Sequence, residues 1–132
     1  MRVIPVGLRG TYAMTVKPEH LASQFKDAIL PPVLATPIMI LIMENAALNT
    51  IRDYLEADEA AVGTKISVKH LAATPVGHRV VAEAEVIEVD GRRIEFKVTA
   101  RDEIEQIGAG THQRMVVNLG RLKSRLAAKG RK

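Results

Sequence analysis

Glu44 stands in an apolar helical stretch from Ile38 to Leu48, and its helical neighbours Ile40, Leu41, Ala47 and Leu48 are all apolar. A carboxylate in such a setting needs a partner or a task. His70 is the second anomaly. Period-two alternation places it with Ile66 and Val68 on the apolar face of a strand, opposite Lys65, Ser67 and Lys69. Either residue alone has an ordinary reading, as a hydrogen-bonded core histidine or as an acid capping a loop amide. Together, a buried acid on a helix and an imidazole on the strand packed against it make a base and its orienting group, as general acid–base chemistry requires. Thr36 adds a hydroxyl at the start of that helix, where free N–H groups and the helix dipole favour developing negative charge. Followed by Pro37, the same threonine also suits a plain N-cap with proline at the first helical position.

Gly63, just ahead of the His70 strand, lets the backbone approach a ligand and offer an N–H, although a loop-to-strand glycine reads the same way. Gly108 to Arg114 lacks the following helix and the Lys-Ser/Thr pair of a phosphate-binding loop, so its glycines mark a bulge or close packing. Arg114 is a candidate phosphate or carboxylate contact, and His112 is expected at the surface. His20, His70, His78 and His112 are scattered without ligand spacing, so no metal site is expected.

These residues need a frame. Leu8 to Val16 alternates as a first strand, and Glu19 to Pro32 reads as a connector. The helix that begins at Thr36 runs to about Leu55 with no polar face, as a helix buried all round would. An acidic loop from Glu56 to Gly63 follows. Beyond it the period switches to two, through Thr64 to Ala72, Val80 to Val86, Ile94 to Arg101 and Ile104 to Leu119, with Asp90-Gly91 as a hairpin turn. The order predicts one strand, a buried helix, then a four-strand antiparallel meander. Each strand has a single apolar face, so the sheet must curl around the helix, and a second subunit must cover what remains. That is an α+β hotdog fold: a five-stranded antiparallel sheet around one long helix, dimeric.

The chain has 132 residues, no cysteine, and an aliphatic rather than aromatic core composition. Its length predicts one domain over 1–132. The absence of disulfides, of a signal peptide and of a spanning segment leads to the expectation of a soluble, cytoplasmic protein with no membrane partner. Six of its positive charges, Arg121, Lys123, Arg125, Lys129, Arg131 and Lys132, crowd a basic tail over about 120–132, against a net charge of +4. Such a tail can bind phosphates, and its plainer reading is a solvated terminal helix. Without aromatic platforms or basic strand faces, the chain is not expected to bind nucleic acid.

Ala35-Thr36-Pro37, Glu44 eight residues after the threonine, Gly63-Thr64 with His70, Ala73 to Gly77, and the glycines, His112 and Arg114 of 108–114 together resemble the fluoroacetyl-CoA thioesterase family of hotdog proteins. The resemblance runs from about Val33 to about Arg125. It implies hydrolysis of an acyl-CoA thioester, a catalytic set of Thr36, Glu44 and His70, and assistance in substrate binding from Gly63 and Arg114. CoA enters as part of the substrate, and no separate cofactor is implied. The connector departs from the family's phenylalanine-rich lid, holding only Phe25, so preference for fluorine is not carried over and the acyl group stays open.

Geometry resists a simple triad, because Thr36 and Glu44 on one helix lie about 12 Å apart along its axis at ~1.5 Å per residue. One imidazole cannot touch both, which favours a site shared across a dimer interface. The rival readings are a hotdog protein that holds an acyl-CoA or acyl carrier without cleaving it, and a hotdog dehydratase.

Overall fold

The computed structural model describes residues 1–131; Lys132, the last residue of the basic tail, lies outside them. In chain order the elements are β1 (Arg9–Thr15), a one-turn α1 (Ala22–Phe25), the long α2 (Thr36–Ile51), β2 (Glu59–His70), β3 (Arg79–Asp90), β4 (Arg93–Arg101), β5 (Gln106–Asn118) and α3 (Leu119–Gly130). The five strands form one antiparallel sheet in the order β1-β3-β4-β5-β2.

Alternation sets the faces as expected. Val80, Ala82, Ala84 and Val86 of β3 and Ile94, Phe96 and Val98 of β4 are fully buried, in one core with Met39, Ile42, Met43 and Ala46 of α2. The sheet closes over one side of the helix. At Gly108 of β5 a Cβ would lie 2.5 Å from Met39 Sδ and 2.9 Å from Met43 Cε, so the missing side chain is the space that these two flexible methionines of α2 fill. Among the described residues, no helix is long and apolar enough to cross a membrane.

Four expectations need correction. The meander has three strands, not four: β2 pairs with β5 along its length, and β1 takes the free edge of β3. Alternation fixes which way a strand faces but carries no information on its neighbours, and β2 becomes an edge. Second, α2 is not buried all round. A ridge of Pro37, Ile40, Leu41, Glu44, Asn45 and Leu48 stays exposed or half-exposed, with Leu41 46% exposed. Ends of the expected elements also shift: α2 stops at Ile51, and the acidic stretch enters the sheet at Glu59 because Glu59 to Gly63 pair with Asn118 to Arg114.

The fourth correction concerns parity within β2. Gly63 pairs with Arg114 and Lys65 with Gln113, which leaves Thr64 as one extra residue, a β-bulge. Ahead of it the odd-numbered Ala61 and Gly63 face inward. After it the half-buried, even-numbered Ile66, Val68 and His70 do so.

Candidate active site

Thr36 is not the N-cap. The Ala35 carbonyl accepts from both Ile38 N–H (3.0 Å) and Met39 N–H (3.1 Å), which makes Ala35 the cap and puts Thr36 and Pro37 inside the first turn. The threonine hydroxyl is therefore free of the helix amides. Its Oγ1 lies 2.8 Å from His70 Nδ1, joining the start of α2 to the end of β2. The other ring nitrogen, His70 Nε2, is buried without a hydrogen-bond partner among the described residues. Burial pushes the His70 pKa below the ordinary imidazole value, with the Ala72 backbone opposing. A neutral imidazole can accept the Thr36 proton, as a general base must.

Beside this pair opens a cavity of about 410 Å³. The 22–34 segment, expected as a mere connector, walls it with Ala22, Lys26, Leu30, Pro31, Val33 and Leu34, and residues 70–73 close the far side. Hydrogen bonds from Ala22 N–H to the Val33 carbonyl (2.7 Å) and from Leu34 N–H to the Thr74 carbonyl (2.8 Å) hold that wall. Phe25 is 50% exposed and does not line it.

Glu44 belongs to a second cluster. A Cβ on Gly63 would lie 2.7 Å from Glu44 Oε2, 3.3 Å from His112 Cε1 and 3.7 Å from Arg114 Nη1, so these four residues meet at one point. The missing side chain of Gly63 is the space the carboxylate uses. Arg114 is buried and donates from Nη2 to the Ala61 carbonyl (2.7 Å).

His112, expected at the surface, is only 2% exposed and stacks on Phe96 with ring centroids 6.0 Å apart. Its Nδ1 lies 2.8 Å from the Lys65 carbonyl and its Nε2 3.1 Å from Arg114 Nη1. A carbonyl only accepts and a guanidinium only donates, so the proton sits on Nδ1 and Nε2 accepts from Arg114. Burial lowers the His112 pKa foremost; the Lys65 carbonyl and Glu44 oppose, and Arg114 adds to the lowering. Burial likewise lowers the Arg114 pKa while Glu44 raises it. The half-buried carboxylate, the guanidinium and the neutral imidazole thus form one electrostatic unit beside the middle of α2.

The family model of the fluoroacetyl-CoA-specific thioesterases matches residues 16–119, which contain both clusters. The chain belongs to this family. The fluoroacetyl-CoA thioesterase of Streptantibioticus cattleyicolor is 39% identical over 94% of this chain and 93% of its own length. A solved structure of the fluoroacetyl-CoA thioesterase FlK superposes with a TM-score of 0.91 at 36% identity, covering 96% of this chain and 98% of that one. A Thermus thermophilus member of the thioesterase superfamily superposes at 0.92 with 27% identity, over 99% and 96%. The fold is the hotdog fold of this family.

Sequence reasoning singles out Thr36, Glu44, His70, Gly63 and Arg114 but misses His112. The available signal was parity. His112 alternates with Gly108 and Arg114, both of which turn inward. The structure brings Thr36 to His70 and Glu44 to Gly63, His112 and Arg114. Within one chain it does not bring Glu44 to His70.

Proposed function

We propose that this protein is an acyl-CoA thioesterase that hydrolyses a short-chain acyl-CoA to the free acid and CoA, as a homodimer in the cytoplasm. Thr36, Glu44 and His70 act as its catalytic groups. The 2.8 Å contact between Thr36 Oγ1 and His70 Nδ1 at the mouth of the cavity carries this reading. Thr36 Oγ1, or a water held against it, attacks the thioester carbonyl and gives its proton to His70. The carbon–sulfur bond breaks, and the CoA thiolate leaves with that proton. If Thr36 attacked, water then cleaves the acyl-threonine and restores the hydroxyl. In this reading the Gly63 N–H stabilises the oxyanion and Arg114 assists substrate binding. Glu44 either orients the imidazolium that forms on His70 or itself attacks the thioester, giving a transient mixed anhydride that water cleaves. These groups call for no cofactor beyond the CoA of the substrate. Variants of FlK have been solved with acetyl-CoA and with fluoroacetate and CoA; the aliphatic wall here suits a small acyl chain without preference for fluorine.

Two features support a dimer. β2 is a twelve-residue edge whose outer backbone groups have no partner strand among the described residues, and the outer ridge of α2 leaves Leu41 exposed. Antiparallel pairing of two β2 edges would set the Thr36–His70 pair of one subunit against the Glu44–Gly63–Arg114 cluster of the other. The site is then shared.

Thiol release from a panel of short acyl-CoA esters tests the activity. It should appear for wild type and vanish in His70→Ala. Binding of the esters without any thiol release would sink hydrolysis in favour of a binding module. Mixing His70→Ala with Glu44→Gln subunits tests the sharing. Shared sites regain activity, because one site of each mixed dimer keeps both residues. Sites built within one chain stay dead.

A further inference from the structure

Thr74 and Asp102 belong to neither cluster, yet both are buried, Thr74 fully and Asp102 to 7% exposure. The Thr74 hydroxyl donates to Asp102 Oδ2 at 2.9 Å. Asp102 Oδ1 accepts from the N–H groups of Ile104 (2.8 Å) and Glu105 (2.9 Å), which closes the β4–β5 turn. The Asp102 N–H donates in turn to the Glu105 carbonyl at 3.0 Å. Burial works to raise the Asp102 pKa, but the bonds from Glu105, Ile104 and Thr74, with His78 nearby, hold it below the ordinary carboxyl value. The group is therefore a carboxylate at neutral pH, and its bond from Thr74 is charge-assisted. The turn is complete without that bond. The second oxygen serves a residue 28 positions earlier in the chain.

Thr74 stands where two walls of the catalytic cavity join. Its carbonyl accepts from Leu34 N–H at 2.8 Å, just ahead of the Ala35 cap and Thr36. The chain before it, residues 70–73, lines the far side of the cavity from His70 onward. Within that stretch the Ala72 backbone bears on the His70 ring. One residue is thus tied to the backbone that carries Thr36 and to the backbone that carries His70. Any displacement of Thr74 moves the two partners of the 2.8 Å contact relative to each other.

We propose that Thr74 and Asp102 are positioning residues for the Thr36–His70 pair: the buried carboxylate pins Thr74, and Thr74 sets the start of α2 against the end of β2. The effect on rate rests on the thioesterase reading above; the effect on the contact does not. A role confined to fastening the β4–β5 turn would touch stability alone.

The test uses the full-length protein, with thiol release measured well below the thermal midpoint of each variant. Thr74→Val removes the hydroxyl and nearly keeps the shape, whereas Thr74→Ser keeps the hydroxyl. Thr74→Val should lower kcat by about 10–100-fold with KM changing less, the usual cost of a small misplacement of reacting groups. Thr74→Ser should restore most of that loss. Asp102→Asn keeps an acceptor for the two turn N–H groups but takes the charge out of the bond from Thr74. Its kcat should fall in the same direction by a smaller factor, and this milder variant carries the test if Thr74→Val does not fold. NMR titration of the His70 ring without substrate should give a midpoint displaced from wild type in Thr74→Val and coincident with it in Thr74→Ser. A lower thermal midpoint with an unchanged kcat, or an unchanged His70 titration, would overturn the proposal and leave the pair as a fastening of the turn. Equal loss of kcat in the serine and valine variants would overturn it too. If wild type hydrolyses no acyl-CoA at all, the thioesterase reading fails by itself, and the His70 titration still decides the positioning.

Discussion

The hydroxyl of Thr36 and the Nδ1 of His70 are 2.8 Å apart although the residues stand 34 positions apart in the chain. The contact exists because Ala35 takes over the capping of α2 and leaves the threonine free. Replacing His70 by alanine should lower kcat for acyl-CoA hydrolysis by about 10²–10⁴. Thr36→Ser, which keeps the hydroxyl, should retain far more activity than Thr36→Val. Thiol-release kinetics on the three variants provide the check, and equal activity of the serine and valine variants would remove the hydroxyl from the mechanism.

Gly63 leaves room for a carboxylate. Gly63→Ala would place a Cβ 2.7 Å from Glu44 Oε2, the far end of a flexible side chain, so the acid should move while the fold holds. The expected result is a thermal midpoint within a few degrees of wild type and a kcat lower by roughly 10–100-fold, as small misplacements of catalytic groups typically cost. Full activity in this variant would show that the position of Glu44 does not matter.

The acid limb of the activity should report a buried imidazole. A histidine in an unfolded chain titrates near 6.5, and burial holds His70 below that value in the fold. His70 therefore stays neutral, and able to act as a base, as the pH falls through 6.5, and the acid limb of kcat/KM should have its midpoint below 6.5. Stability moves the same way for a related reason. Below 6.5 the unfolded chain takes up protons that His70 and His112 resist in the fold, so unfolding becomes easier as the pH drops from 6.5 toward their folded values. Rate profiles and urea midpoints across pH 5–8 measure both. An acid limb above 6.5 would contradict this account of His70.

His112 holds Arg114 in place. His112→Phe preserves the stacking on Phe96 but leaves the Lys65 carbonyl and one Arg114 donor unpaired, at a cost of about 1–3 kcal/mol each. The urea midpoint should fall, and kcat should fall more than KM rises. A variant that loses stability but keeps its kcat would limit His112 to packing.

Much of this is legible in the residues. The Asp90-Gly91 signal marks the β3–β4 hairpin, although its two loop residues are Gly91 and Arg92. The Glu44 and His70 anomalies and the apolar faces of β3 and β4 follow from local periods of 3.6 and two, which a sequence displays directly. The partnership of β2 with β5 does not, because strand order depends on contacts between segments far apart in the chain. His112 escapes the sequence for a different reason. Polar residues on a strand usually mark its wet face, and His112 is flanked by Thr111 and Gln113. Yet it lies inward because the carbonyl of Lys65 and the guanidinium of Arg114 satisfy both of its nitrogens. Only folding brings those partners to it.

Gly63 and His70 are seven positions apart, an odd interval, and on a regular strand they would look out of opposite sides. They share a side because Thr64 is counted once in β2 and not at all in β5. Deleting that single residue would act as a frameshift in space: the backbone would still pair, but either the glycine that makes room for the acid or the histidine that meets the threonine would turn to solvent. The length of this interval is therefore a mark of the site in its own right, held in the count of residues rather than in their identity.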